Sequence, residues 1–151
     1  MKDNVTVSIG SIALVDKIDA EYGFFDKVLG GLGGKAKTLV QSTKLFIYNR
    51  LNECFSTNHL LSGYSTELFS LLKFKNLPSD RTLYRDLERI GKNHVFVLEN
   101  YQSLIQDEGL VPDTQFFDFS SSYFEGKMCP FAELGYSRDG HPGKKQLTVG
   151  V

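Results

Sequence analysis

The chain has 151 residues, about the size of one ordinary domain, with 17 Lys and Arg against 18 Asp and Glu and therefore a formal charge of −1. Hydrophobic residues make up 41% of the sequence, which is typical of a globular protein and excludes a wholly disordered chain. Apolar runs are too short to span a membrane, and Cys54 and Cys129 stand too far apart in the sequence to suggest a disulfide framework or a zinc knuckle.

The first part of the chain shows helical spacing of its apolar residues. This spacing predicts helices over 11–29, 34–56 and 65–74, with a turn over 56–64. The glycine-rich run 30–34 separates the first two helices, because glycine disfavours helical backbone. Asp16 and Asp19 interrupt the apolar residues near the start, so no signal peptide is expected and a reducing, cytoplasmic location is the default.

A new helical unit is predicted to begin at Ser79, which follows Pro78 and is placed to cap a helix that ends at Gly91. Apolar and basic residues fall on opposite faces of this helix, with Leu83, Leu87 and Ile90 on one face and Arg81, Arg85 and Arg89 on the other. The arrangement resembles the second helix of a helix-turn-helix, in which the arginines would contact DNA. A solvated face with mixed charges is the alternative. A further helix is predicted over 93–107.

Beyond Gly109 the spacing changes from helical to alternating. The alternation predicts a strand over 114–124 and a second strand that begins near Leu147. The chain stops inside the second strand, and two strands alone are marginally stable, so we expect an incomplete domain.

Charge is unevenly distributed along the chain. Residues 73–92 contain six Lys or Arg against three acids, whereas residues 93–126 contain six acids and no Lys or Arg. Cations that hold phosphates, beside carboxylates that hold a metal, are typical of a protein that processes a polyanion. Local fluctuation in a near-neutral protein would produce the same pattern.

Two motifs that could carry chemistry are disfavoured. The segment 33–35 resembles the end of a phosphate-binding P-loop, but Leu29 replaces the first glycine and Ala36 replaces the required Ser or Thr, so a hinge is the better interpretation. The three histidines, His59, His94 and His141, lie in different elements without the spacing of metal ligands.

Asp118 is the most informative single residue in the alternating region. It lies between Phe117 and Phe119 in the predicted strand, where a carboxylate is costly to bury without a partner. A divalent metal would be one such partner, and a lysine or arginine would be another.

Asp118 also begins a longer motif. The segments 118–126 (DFSSSYFEG), 134–142 (LGYSRDGHP) and 144–147 (KKQL) resemble the opening of the catalytic domain of DDE-type insertion-sequence transposases. They are most similar to the insertion-sequence-four superfamily, in which D-x-[TS]-S-x-Y-F-E-G is followed by G-Y-S-[RK]-D-x-R-P-D-x-x-Q. The chain departs from this pattern at His141, where the family often has Arg, and at Gly143, where it often has Asp.

The resemblance implies an RNase H-like fold in which two Mg²⁺ ions are held by two Asp and one Glu. One ion activates the attacking water or hydroxyl, and the other stabilises the leaving oxygen of the phosphodiester. Asp118 corresponds to the first Asp of this triad and is thus the candidate catalytic residue and metal ligand. Since the other two carboxylates have no counterpart in the 151 residues, we expect weak or absent Mg²⁺ binding and no strand transfer or DNA cleavage by this chain alone.

The connection from Glu125 to Lys144 is long for a link between neighbouring strands, and long loops are often functional. Basic residues and one tyrosine line it, and we expect these to contact the DNA backbone: Lys127, Tyr136, Arg138, Lys144 and Lys145.

The sequence therefore predicts an α+β fold, in which a mostly helical region over 1–110 precedes the first two antiparallel strands of an incomplete RNase H-like domain over 111–151. The implied function is that of a transposase fragment that acts on insertion-sequence ends, with DNA as the partner, a homodimer as a family implication, and neither a membrane nor a small-molecule substrate. Two alternatives remain, namely a non-catalytic DNA-binding regulator derived from a transposase and a helical scaffold that binds protein.

Overall fold

A computed structural model describes residues 7–33, 36–111, 119–125, 129–137 and 140–150. The chain divides into two compact units, which we call the helical unit (Met1–Val111) and the sheet unit (Pro112–Val151). The fold is mostly helical with a small antiparallel sheet, which agrees with the predicted α+β class at this coarse level. Three of the predicted site residues, Asp118, Lys127 and Arg138, lie outside the described residues.

The helical unit contains seven α-helices among its described residues. They are α1 (Ile9–Tyr22), α2 (Phe24–Leu29), α3 (Ala36–Leu51), α4 (Leu60–Gly63), α5 (Thr66–Leu71), α6 (Asp80–Lys92) and α7 (His94–Asp107). Single 3-10 turns follow α2 at Gly30–Leu32 and precede α4 at Thr57–His59. The predicted turn over 56–64 thus consists largely of short helical turns.

The predicted helix over 11–29 is two helices that meet at Gly23. Gly23 adopts a left-handed conformation with φ of 63°, and its backbone N–H donates to the Asp19 carbonyl at 2.8 Å. The Asp19 carboxylate then accepts from the backbone N–H of Phe25 at 3.1 Å. Glycine reaches this conformation without steric cost, so the chain turns here and starts α2 in a new direction.

Helix α3 ends at Leu51, short of the predicted boundary at residue 56. The side chain of Asn49 accepts from the backbone N–H of Phe55 at 2.9 Å and donates to the Phe55 carbonyl at 2.8 Å. Cys54, between them, has a positive φ of 55°. A side chain that satisfies both backbone groups of Phe55 offers the chain an alternative to continued helix, which is why the helix stops.

Helix α3 is the centre of the unit, because it contributes to two hydrophobic clusters. Its Leu45 and Tyr48 pack in a cluster with Ile12 of α1 and with buried residues of α4, α5 and α6. Its Leu39 packs in the other cluster with Phe25 of α2, Leu104 of α7 and their neighbours. Burial of each large apolar side chain contributes about 1.5–3 kcal/mol, so both ends of α3 are firmly held.

Helix α6 begins as predicted, since the Ser79 hydroxyl accepts from the backbone N–H of Thr82 at 3.2 Å. It continues past Gly91, the predicted end, to Lys92. The predicted apolar stripe is wrong in one position: Leu83 is fully buried, but Leu87 is 43% exposed. Asp86 is buried in its place at 3% exposure, because the Ser42 hydroxyl of α3 donates to its carboxylate at 2.7 Å.

The connection that precedes α6 also differs in length from that of a helix-turn-helix. The connection from α5 to α6 runs from Leu72 to Ser79, which is longer than the three or four residues of a helix-turn-helix. Lys73 turns the chain at its start with a positive φ of 63°.

The sheet unit contains strands β1 (Phe119–Phe124), β2 (Glu133–Leu134) and β3 (Lys145–Gly150) in the order β1-β3-β2. Both pairings are antiparallel, with Ser121 opposite Thr148 and Glu133 opposite Gln146. Residues 114–118 of the predicted first strand lie outside the described residues. The second predicted strand begins at Lys145 rather than Leu147, and β2 was not predicted because two residues carry no visible alternation.

Candidate nucleic-acid interface

Arg81 and Arg85 of α6 are exposed one helical turn apart, as the sequence predicts. Neither takes part in an ion pair with the described residues. The nearby Glu88 is instead paired with Lys92, with Oε1 and Nζ 2.7 Å apart, and this hydrogen bond lowers the pKa of Glu88. The charge of the two arginines is therefore available to an anion from solution.

Arg89, the third predicted DNA contact on α6, is used within the fold. Its guanidinium donates to the backbone carbonyl of Leu32 at 2.8 Å and also to that of Gly33. These bonds tie α6 to the glycine-rich segment that follows α2. Gly33 there has a φ of 70°, a conformation that leaves carbonyls without helical partners. Arg89 is half-buried, and its guanidinium donates hydrogen bonds to the backbone of the same chain.

A groove of about 740 Å³ lies beside the first turn of α6. One wall comes from α3 and includes Lys37, Thr38 and Gln41, and the other comes from the connection between α5 and α6 and includes Lys75. Both lysines are exposed, and neither is within an ion pair in the part of the chain that the structure describes. Two exposed cations thus line the same recess.

A smaller depression of about 250 Å³ adjoins the groove. Thr38 lines both, and the depression is completed by Arg85, Asp86 and Arg89. We call four exposed cations the basic face: Lys37 and Lys75, which line the groove, Arg85, which lines the depression, and Arg81, which lies one helical turn before Arg85 on α6. Sequence reasoning found the two arginines by their helical spacing but missed the two lysines, since only the packing of α3 beside the residue 72–79 connection brings them together.

The sheet unit places three of its predicted DNA contacts on the surface. Tyr136 is 90% exposed and follows β2. Lys144 approaches Glu125, with Nζ and Oε1 4.0 Å apart, and both side chains remain accessible. Lys145 begins β3 opposite Phe124 and is exposed. These positions are accessible to a partner, and the remaining predicted contacts of this unit, Lys127 and Arg138, lie outside the described residues.

The metal site implied by the resemblance depends on Asp118, which is not among the described residues. Within the described ranges, no three His, Cys, Asp or Glu side chains lie close enough together to hold a metal ion. Binding of Mg²⁺ at Asp118 therefore stays a prediction.

Comparison with protein-family models, with curated proteins and with solved structures found no match. None of the helices in the described ranges is long and apolar enough to cross a membrane.

Proposed function

We propose that this chain acts on insertion-sequence DNA as part of a DDE-type transposase and that the basic face of its helical unit binds the DNA backbone. The transposase assignment is supported by the motif over 118–147, whose length and order of residues resemble the family. The RNase H-like fold, the role of Asp118 as a catalytic Mg²⁺ ligand and the pairing of two subunits belong to this proposal.

DNA binding by the helical unit is carried by one observation, the basic face. Lys37, Lys75 and Arg85 line adjoining recesses, Arg81 lies one helical turn before Arg85, and none of the four has an ion-pair partner among the described residues. Cations in such an arrangement bind phosphates by releasing condensed counterions, and each neutralised phosphate makes binding more sensitive to salt. Glu88, the acid next to the arginines, is paired with Lys92 and with neither arginine.

A non-catalytic DNA-binding module is the second candidate. It is favoured by the basic face, which the described residues form without any contribution from Asp118. Both candidates require salt-dependent DNA binding. They differ in whether Asp118 serves as a catalytic Mg²⁺ ligand. A helical scaffold for a protein partner, the third candidate, predicts no such binding.

A salt titration tests the proposal. The affinity of the full chain for a labelled DNA duplex is measured by fluorescence anisotropy between low and physiological salt. We expect the slope of log affinity against log salt to become shallower by about 0.9 for each phosphate that the variant no longer neutralises, hence by about 0.9 in Arg85→Ala and about 1.8 in the Arg81→Ala/Arg85→Ala variant. Circular dichroism confirms that each variant is folded.

Lys17→Ala is the control that removes one equal charge, because Lys17 is exposed on α1 and outside the basic face. Its slope should equal that of the wild-type chain. Equal slopes for the arginine variants and the wild type, or no salt-dependent binding at all, would contradict DNA binding by this face.

A further inference from the structure

The groove between α3 and the residue 72–79 connection is not only basic. Its lining also includes Phe74, Leu77 and Pro78, and Leu77 is 54% exposed. An accessible leucine beside two lysines is not what phosphate binding alone requires. A recess of this size with apolar walls and a few polar groups is suited to a small ring system that carries a charged group.

Several contacts fix the shape of this groove. Gln41 of α3 donates a hydrogen bond from its amide to the Lys73 carbonyl, which holds the two walls together. The backbone N–H of Phe74 donates to the Phe69 carbonyl at 3.0 Å, and the two rings meet edge to face with centroids 5.8 Å apart. The recess is thus formed before any ligand arrives, which reduces the entropy lost on binding.

We propose that this groove binds an unpaired nucleotide of a single strand, with the base against Phe74 and Leu77 and the phosphates beside Lys37 and Lys75. The inference rests on the proposed DNA-binding function and specifies the form of the nucleic acid that this part of the basic face takes. Cations along the backbone combined with apolar or aromatic contacts to the bases are the general means by which single strands are bound.

A duplex would make no contact with the apolar lining of the groove. Its bases are stacked and paired inside the helix, so it presents phosphates to Lys37 and Lys75 but no apolar group to Leu77. A single strand can turn one base into the recess and gain that apolar contact as well. We expect the affinity for a single strand to be about tenfold higher than the affinity for the duplex, because one base contact raises the affinity by about that factor.

Anisotropy titrations of the full chain with oligothymidine, oligouridine and a DNA duplex, each about 12 nucleotides long, test the inference. We expect Leu77→Ser to weaken single-strand binding about tenfold and leave duplex binding unchanged. The Lys37→Ala/Lys75→Ala variant should weaken both. Leu51→Ser is the matched control, because Leu51 is also 54% exposed but lies at the end of α3, outside the groove.

Tighter binding of oligothymidine, oligouridine or both than of the duplex supports the inference and identifies the source of the strand. Equal affinity for strand and duplex, or an unchanged Leu77→Ser variant, overturns it. If the duplex binds through Arg81 and Arg85 in the salt titration while the single strand has no advantage, only this inference fails. If no nucleic acid binds, the proposed function fails with it.

Discussion

Two charged residues of α6, Asp86 and Arg89, lie among solvated neighbours in the sequence but are used inside the fold. Asp86 is 3% exposed and accepts a hydrogen bond from Ser42, which is itself fully buried. Arg89 donates to backbone carbonyls of the glycine-rich segment. Their partners lie in other elements, at sequence separations of 44 and 57 residues, so the local pattern on α6 could not distinguish them from the exposed Arg81 and Arg85.

Removal of the Ser42 hydroxyl should destabilise the helical unit. In Ser42→Ala the buried carboxylate of Asp86 loses its donor, and a buried acceptor without a partner costs about 1–3 kcal/mol. The double variant Ser42→Ala/Asp86→Leu should lose less than the sum of the two single variants, because it removes both polar groups together. Urea unfolding followed by circular dichroism measures each free energy of unfolding.

Thr43→Ala is the matched control for this pair. The Thr43 hydroxyl donates to the Leu39 carbonyl of its own helix at 2.8 Å, a local bond whose removal should change stability by less than about 0.5 kcal/mol. A Ser42→Ala variant as stable as Thr43→Ala would show that the bond to Asp86 does not support the packing of α6 on α3.

At the scale of elements, the packing of α7 on the segment after α2 depends on one close approach. A Cβ atom on Gly31 would lie 2.4 Å from the ring of Phe96, closer than atoms can pack. The backbone at Gly31 is outside the left-handed region, so the glycine is needed for space rather than for conformation. The Phe96 ring of α7, which is 37% exposed, therefore packs over the 3-10 turn at a place where a methyl group would force the ring to move.

The Gly31→Ala variant should be destabilised by about 1–3 kcal/mol, since overpacking forces neighbouring groups to shift. Adding Phe96→Ala, which opens the space, should make the Gly31 substitution nearly neutral.

Gly10→Ala is the control, because a Cβ there meets nothing within 4 Å and alanine favours helix, so this variant should be as stable as the wild type or slightly more stable. Thermal unfolding compares five chains: the wild type, Gly31→Ala, Phe96→Ala, the Gly31→Ala/Phe96→Ala variant and Gly10→Ala. A neutral Gly31→Ala variant would contradict the close approach of the ring.

Elements with local signals could be predicted from the sequence, and elements that depend on distant partners could not. The start of α6 was predictable because Ser79 accepts from the backbone N–H of Thr82, only three residues further along the chain, and this prediction is confirmed. The end of α3 depends on a hydrogen bond between the Asn49 side chain and the backbone of Phe55, six residues away. The break between α1 and α2 depends on the conformation of Gly23, which the spacing of apolar residues does not reveal. For the candidate site, the arginine pair was predictable from helical spacing, whereas Lys37 and Lys75 were not.

The helical unit as a whole is held together by the two clusters that share α3, and one polar contact lies beside each. Lys44 of α3 is 13% exposed; its ammonium lies 2.6 Å from the Asp16 carboxylate and 5.1 Å from the centroid of the Phe25 ring. Tyr64 packs against Tyr48 with ring centroids 5.4 Å apart and donates its hydroxyl hydrogen bond to Asn49 at 2.9 Å. Each cluster thus includes a titratable group at its edge.

Both of these groups hold their protons more tightly in the folded state. Burial by itself would lower the pKa of Lys44, but the hydrogen bonds to Asp16 and Asp19 outweigh it, so that this pKa lies above its usual value. Burial, followed by the neighbouring Tyr48, raises the pKa of Tyr64 to about 12. In the unfolded chain both groups lose their protons near pH 10.

The helical unit should therefore lose stability in alkali. Because the folded state binds more protons than the unfolded state above about pH 10, the stabilisation from both groups is fully present below that pH and decreases as the pH rises further. For Tyr64 it is lost as the pH approaches about 12. For Tyr64 the decrease in the free energy of unfolding is on the order of 1–2 kcal/mol, since solvent screens part of the effect at a half-buried position.

Urea unfolding at a series of pH values tests this prediction. The free energy of unfolding of Tyr64→Phe should fall less steeply in alkali than that of the wild type. Tyr101→Phe makes the same substitution at the 43% exposed tyrosine of α7 and is the control. Equal slopes for Tyr64→Phe and Tyr101→Phe would contradict the role of the half-buried tyrosine.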